Sequence, residues 1–345
     1  MSSERLVSLD TVRGLAALAV AIPHFFLFRG YESAALEFIA IMAVEVFFVL
    51  SGLVLAPQLL RCVETGMMRE VRTFYYRRWM RTLPPYAFVL LAMAIITGNL
   101  FSFDIPLYAL FVRNFASIRS TNDFFVVAWS LAIEEWFYLV FPVFLVVVTQ
   151  RRNAVIAGVA FLGLFLVVKL IYAALYPDLF SEGRRIVILR VDAIAVGFLL
   201  SFVLMQLAKD RRALLIAIAP LAAVTLALSI YGMRSKNVLL FVYAAPCFAA
   251  CVITLLTSAE RLLQNRIAAG LASFFAKTSY MIYLVHTLIV IILARVEGVA
   301  EAYLFAAYLV VLLGFCWVFH LAVEAPILRA RPRYRGGHHH VLTKG

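Results

Sequence analysis

Residues 238–257 read VLLFVYAAPCFAACVITLLT, twenty positions without a single Asp, Glu, Lys, Arg or His. A helix rises 1.5 Å per residue, so such a run spans ~30 Å, the thickness of the hydrocarbon core of a bilayer. Inside lipid each backbone N–H and C=O must find its partner within the segment, which makes the run a helix. Working outward in both directions, the pattern recurs at about 8–28, 36–60, 84–100, 124–148, 153–176, 187–208, 213–232, 270–293 and 301–323. The third run is short and the first is polar for a lipid-facing helix, so both are expected to pack against other helices. The 345-residue chain is 65% hydrophobic and 14% charged, against roughly half and a quarter for a soluble domain. The short alternating segments of a β-barrel are missing. The expected fold is all-α: a polytopic transmembrane helical bundle of about ten spans, without internal repeat or second soluble domain.

The formal net charge of +12 is explained by where the basic residues fall relative to the spans, and no nucleic-acid partner is expected. With the N-terminus in the cytoplasm, the inward segments carry 20 Lys and Arg. The outward segments carry eight: Arg29, Arg113, Arg119, Arg184, Arg185, Arg234, Lys236 and Arg295. Arg13, Lys169 and Arg190 fall within spans. This bias predicts both termini inside, in an integral protein of a bacterial inner membrane surrounded by lipid. Residues 1–328 read as one membrane domain and 329–345 as a short basic cytoplasmic tail. The tail's His338, His339 and His340 are not read as a metal site. Asp10 and Arg13 interrupt the first apolar run, so it reads as a retained helix and not a cleaved signal peptide. Cys62, Cys247, Cys251 and Cys316 form no CxxC pair and imply neither disulfides nor zinc.

Charge inside a spanning helix costs ~2.5–3.5 kcal/mol even on the lenient insertion scale. This chain nevertheless places Asp10, Arg13, Glu45, Glu134, Glu135, Lys169, Arg190, Asp192 and Glu324 there, with His24, His286 and His320. Such groups either pair between helices or form a polar site. Arg13 and His24 are eleven residues apart, almost three full helical turns, so both lie on one stripe ~16 Å apart along the axis. Ser130, Glu134 and Tyr138 recur every four residues and form a second stripe. Ser279, Tyr283 and His286 form a third. Arg78 and Arg81 share a face within Phe74-Tyr75-Tyr76-Arg77-Arg78-Trp79-Met80-Arg81-Thr82-Leu83-Pro84-Pro85-Tyr86. They read either as a membrane-interface anchor or as a phosphate clamp, and both readings can hold together. Asp192 and Glu324 have the simple alternative of pairing with arginines.

In order along the chain stand Leu9-Asp10 with Arg13-Gly14 and His24; Glu45-Val46-Phe47-Phe48-Val49-Leu50-Ser51-Gly52; and Arg78 and Arg81 before Leu83-Pro84-Pro85. Then come Trp129-Ser130-Leu131 with Glu134-Glu135; Arg190, Asp192 and Gly197; Ser279-Tyr280 through His286; and Glu324 with Pro326. This ordered set resembles acyltransferase family 3, the integral-membrane O-acyltransferases of bacterial glycans and some small molecules. The resemblance runs from about Leu9 to Arg329. Trp136 stands where the family often has Gln, and Glu45 where Asp is common. Many relatives carry an added periplasmic hydrolase-like domain. This chain ends after its tenth span, and in that it resembles the short stand-alone exopolysaccharide acetyltransferases.

The resemblance implies transfer of an acyl group, usually acetyl, from cytoplasmic acyl-CoA to a hydroxyl of a glycan or lipid-linked sugar on the periplasmic side. Acetyl-CoA is then a donor substrate, and no permanently bound cofactor is expected. It implies His24 as general base, Glu134 orienting His24 or sharing its proton, and Arg13, Arg78 and Arg81 holding the donor's phosphates. Asp10, Glu45, Ser130, Glu135, Tyr138, Arg190, Asp192, Tyr283 and His286 are further polar site candidates. A secondary transporter would use the same buried charges as a proton relay, but neither an internal repeat nor a matched pair of broken helices is visible. A non-catalytic scaffold leaves the polar stripes unexplained.

Overall fold

The computed structural model describes residues 6–65, 68–117, 123–149, 153–177, 183–207, 211–258, 260, 265–332 and 334. Arg5 and the His338–His340 triplet lie outside them, as does most of the tail. The helices are α1 (Val7–Leu27), α2 (Ala34–Thr65), α3 (Met68–Ile96), α4 (Asp104–Ala109), α5 (Ala128–Thr149) and α6 (Ala154–Leu175). After two 3-10 turns, Gly183–Arg185 and Val187–Leu189, follow α7 (Ala193–Leu207), α8 (Arg211–Arg234), α9 (Val238–Ser258), α10 (Arg266–Leu293), α11 (Glu301–Phe319) and α12 (Ala325–Arg329). Among the described residues there is no strand, and ten segments are long and apolar enough to cross a membrane. An even number of crossings brings the chain back to the face from which α1 enters, here the entry face; the opposite one is the far face.

Nine spans fall within a few residues of the expected places, and the third does not. It was expected from residue 84, but α3 begins at Met68 and runs through Pro84 and Pro85. The polar Arg-rich stretch ahead of two prolines lies outside the expected span, although Arg78 and Arg81 already read as one helical face. The helix persists because packing in a bundle supports the backbone around the prolines. The Thr82 hydroxyl donates to the Arg78 carbonyl at 3.2 Å, and the Tyr280 hydroxyl of α10 donates to the Thr82 carbonyl at 3.0 Å. Arg78 and Arg81 therefore ride on a rigid helix. The entry end of α1 is held by Glu260, whose two carboxylate oxygens accept from the Val7 and Ser8 amides at 2.9 and 2.7 Å. A carboxylate at a helix N-terminus also meets the positive end of the helix dipole.

α1 and α2 run through the centre, α1 against α10 and α2 against α7. The α2–α7 crossing is set by two glycines. A Cβ on Gly52 would lie 1.9 Å from the Ile194 carbonyl oxygen, and one on Gly197 would lie 1.8 Å from that of Val49. Backbone therefore touches backbone there, as small residues allow in membranes. Beside this crossing the Arg190 guanidinium, fully buried, donates to Glu45 and to the Val242 carbonyl. Lys169 of α6 donates to Asp192 and lies 4.5 Å from the Tyr243 ring centroid.

Candidate active site

The helices that surround α1 leave a cavity of about 120 Å³ between α1, α2, α3, α5 and α10. Arg13, Arg78 and Arg81 line it together with Ser51, Phe47 and Phe48 of α2, Ser130, Glu134 and Tyr138 of α5, and Ser279, Tyr280 and Tyr283 of α10. A second cavity of about 360 Å³ is lined by Lys277, His320, Glu324 and Arg329, and it shares Arg13 and Arg81 with the first. The shared arginines stand where the two spaces meet. Among the described residues neither Arg78 nor Arg81 has a carboxylate within 4 Å. The Arg78 guanidinium instead lies over the rings of Tyr138 and Phe74, at 5.6 and 6.0 Å. The pKa of Arg331, beyond the last span, is lowered to about 10, by burial first and then by Arg81, Arg77 and Arg78. The three neighbouring arginines add to the effect of burial.

The three stripes meet as side chains. Glu134 accepts from the Tyr138 hydroxyl at 2.8 Å and from the Ser51 hydroxyl at 3.2 Å. Ser130 and Tyr283 share a hydrogen bond of 2.5 Å across α5 and α10. Three residues after Tyr283, His286 is fully buried, and its Nε2 lies 2.8 Å from Nδ1 of His24 on α1. The two imidazoles are nearly parallel, at 10°. One end of the site is thus cationic, near the entry face. The paired imidazoles lie toward the far end of α1 and line neither cavity; the Tyr283 ring, which does line the smaller one, stands 5.9 Å from His286.

Several expectations need correcting. Glu134 does not contact His24: its oxygens are taken by Tyr138 and Ser51, and the partner of His24 is His286. Glu45, Arg190 and Asp192 do not line the cavity, because they are consumed in ion pairs beside the α2–α7 crossing. Asp192 pairs with Lys169 and Glu324 with His320 at 2.8 Å, in neither case with an arginine. Asp10 and Glu135 are buried but do not line the cavity. Ser51 and Tyr280 are site residues that polarity counting passed over. The sequence signal for Ser51 is its place directly before Gly52, where α2 has no bulk. His320–Glu324 forms a π-helical turn, a local defect that recurs at functional sites. Among the described residues no cluster of three His, Cys, Asp or Glu is placed to hold a metal ion.

Peptidoglycan O-acetyltransferase OatA of Listeria monocytogenes is 31% identical over 163 residues, 42% of this chain and 25% of its own. A Staphylococcus aureus (strain COL) protein, provisionally named an O-acetyltransferase, is 30% identical over 158 residues, 40% of this chain and 24% of its own. YrhL of Bacillus subtilis, provisionally named a peptidoglycan O-acetyltransferase, is 31% identical over 157 residues, 40% of this chain and 23% of its own. The matched stretch spans about a quarter of the length of these relatives. No solved structure matches the chain. The family model described as an acyltransferase domain matches residues 6–321, and with that extent of match the chain belongs to acyltransferase family 3.

Proposed function

We propose that this protein transfers an acetyl group from acyl-CoA, bound from the entry face, to a hydroxyl of a glycan or lipid-linked sugar presented at the far face. The observation that carries the reading is the polarity along α1: Arg13, Arg78 and Arg81 border open space toward the entry face, Arg78 and Arg81 with no carboxylate within 4 Å among the described residues, and the paired histidines lie toward the far end. Arg13, Arg78 and Arg81 suit the donor's phosphates, since guanidinium matches phosphate oxygens in pairs. Arg13 and His24 are ~16 Å apart on one helix, so a ligand touching both must be long and narrow, as a nucleotide with a pantetheine arm is. The two cavities meeting at Arg13 and Arg81 leave room for the bulky nucleotide end.

The chemistry is general-base acyl transfer. His24 takes the hydroxyl proton as the acceptor oxygen attacks the thioester carbonyl. The C–S bond then breaks, the thiolate leaves with the proton from His24, and the products are an O-acetyl ester and the free thiol. An imidazole can both take up and return a proton, as the two steps require. The test is purified protein in lipid nanodiscs with acetyl-CoA labelled in the acetyl group and a peptidoglycan fragment or exopolysaccharide as acceptor. Label should appear as base-labile ester and vanish in His24→Ala. Protein that neither binds nor consumes the donor would overturn the reading. The 20-to-8 bias of basic residues puts the entry face in the cytoplasm. Cysteine labelling of the Arg29–Ser33 turn from outside the cell should succeed, and labelling there only after permeabilisation would reverse the assignment.

A further inference from the structure

Two neutral imidazoles facing each other nitrogen to nitrogen cannot both donate, so one must be a donor and the other an acceptor. Which is which follows from a third contact. Nδ1 of His286 lies 3.2 Å from the carbonyl oxygen of Ile282, one turn earlier on α10. A carbonyl only accepts, so Nδ1 of His286 carries the proton. Its Nε2 is then bare and must accept. Nδ1 of His24, 2.8 Å away, must therefore be the donor. A neutral His24 with Nδ1 protonated has its lone pair on Nε2, and among the described residues that nitrogen has no hydrogen-bond partner. The chain of bonds, backbone carbonyl to His286 to His24, leaves only one nitrogen able to take a proton from a substrate.

From this we infer that His286 is a positioning residue for acyl transfer: it fixes the tautomer and ring orientation of His24 so that Nε2 is the base. The role is the one a buried carboxylate plays behind a catalytic histidine in serine hydrolases, filled here by an imidazole. An imidazole acceptor is neutral, so it adds no charge to a site deep in a membrane, where a carboxylate would be costly. Burial and packing make it rigid. His286 is fully buried, on the most deeply packed stretch of α10, and the Tyr283 ring lies 5.9 Å away on the cavity side. Alternatives for the acceptor are absent: among the described residues no carboxylate contacts either imidazole, and the oxygens of Glu134 go to Tyr138 and Ser51.

The inference rests on His24 being the base, and the experiment separates the two. The chain has six histidines, so ¹⁵N-histidine-labelled protein gives few ring signals, and His24 is assigned by its loss in His24→Gln. In the parent protein His24 should show a protonated Nδ1 and a bare Nε2. His286→Leu should release the tautomer toward Nε2–H and lower kcat roughly ten- to a hundredfold, less than loss of the base itself, with KM for acetyl-CoA unchanged. His286→Gln, which puts a carboxamide oxygen near the place of Nε2, should restore the tautomer and most of kcat. A His24 ring protonated at Nε2 in the parent overturns the inference, and that measurement needs no His286 variant to fold. So does a folded His286→Leu protein with parental tautomer and kcat. If His24→Gln itself transfers acetyl normally, the base assignment falls instead.

Discussion

Two regions of this bundle both bury charge inside the membrane and use it in opposite ways. Around the α2–α7 crossing, Arg190 is matched by Glu45 and Lys169 by Asp192, and the helices touch backbone to backbone at Gly52 and Gly197. Around α1, the cations Arg13, Arg78 and Arg81 border open space, and Arg78 and Arg81 have no carboxylate within 4 Å among the described residues. A charge in a spanning helix is thus not by itself the sign of a site. Charge next to a cavity is. The first region holds the helices in place, and the second leaves electrostatic capacity for a ligand. Removing a residue from the first should cost stability. Removing one from the second should cost binding or turnover.

The sharpest break between the regions should come at His24. His24→Ala is expected to lower acetyl transfer by ~10²–10⁴-fold, the usual size of a general-base contribution. Donor affinity should change less than twofold, because the phosphate-facing arginines stay in place. The rate is read by ester formation and the affinity by equilibrium dialysis of labelled acetyl-CoA. In the structural region the matching change is Lys169→Met. It leaves Asp192 buried without its cation, a loss worth about 3–5 kcal/mol when one partner of a buried pair is removed. The thermal midpoint in detergent should drop steeply. The double change Lys169→Met with Asp192→Leu should recover most of it, since an apolar pair of similar volume is often as stable. A single variant as stable as its parent would mean that water reaches the pair.

Gly197→Ala comes next. Its new Cβ would fall within 2.9 Å of Val49 and Leu53 backbone atoms, and backbone has no flexible end to swing aside. The expected cost is about 3 kcal/mol, the upper part of the overpacking range. Activity should fall only in proportion to the folded fraction, measured by size-exclusion chromatography beside the transfer assay. A well-folded, inactive Gly197→Ala protein would move this crossing into the functional region and undo the contrast.

How far the sequence carries is plain from particular residues. Spans were legible because hydrocarbon thickness imposes one length, and runs such as 238–257 have no other reading. The stripe of Ser130, Glu134 and Tyr138 was legible because helical period alone puts those side chains on one face, and all three line the cavity. Partner choice was not legible. Glu134 could meet His24 as well as Ser51 on spacing grounds, and only the relative rotation of α1, α2 and α5 decides between them. The start of α3 was hidden because Pro84 and Pro85 stop helices in water, whereas in a bundle neighbouring groups support the backbone around them. Asp192 pairing with Lys169, 23 residues away across a turn, depends on the fold of residues 183–192, which no periodicity encodes.

Arg78 and Arg81 test the cavity region at a smaller scale. Arg78→Ala and Arg81→Ala should each weaken acetyl-CoA binding by ~1.5–3 kcal/mol, the worth of a hydrogen bond to a charged group. Among the described residues neither guanidinium holds a carboxylate, so little stability should go with it. Arg81 borders both cavities and Arg78 only one, so Arg81→Ala should be the more damaging of the two. If both variants bind the donor like the parent, the pair are interface anchors only.

The weakest effect expected is at Tyr334, and it asks where the cationic region ends. The Tyr334 ring lies 4.9 Å from the Arg61 guanidinium and 5.1 Å from that of Arg77, and its hydroxyl donates to Gln58 at 3.3 Å. Arg77 also donates to the Pro332 carbonyl at 2.7 Å. These contacts tie the segment after α12 to α2 and α3. They occupy Arg61 and Arg77, neither of which lines a cavity. Within one basic stretch of α3, then, Arg77 is used by the protein and Arg78 and Arg81 face the cavity. A cation–π contact near the surface is worth about 0.5–1 kcal/mol, so Tyr334→Ala should lower the thermal midpoint by a few degrees at most. Its effect on acetyl-CoA affinity should be below twofold. A tenfold change in donor affinity would show that Arg61 and Arg77 belong to the donor site as well. The boundary between structural and ligand-binding arginines would then fall before Arg77 on α3 and take in Arg61 of α2.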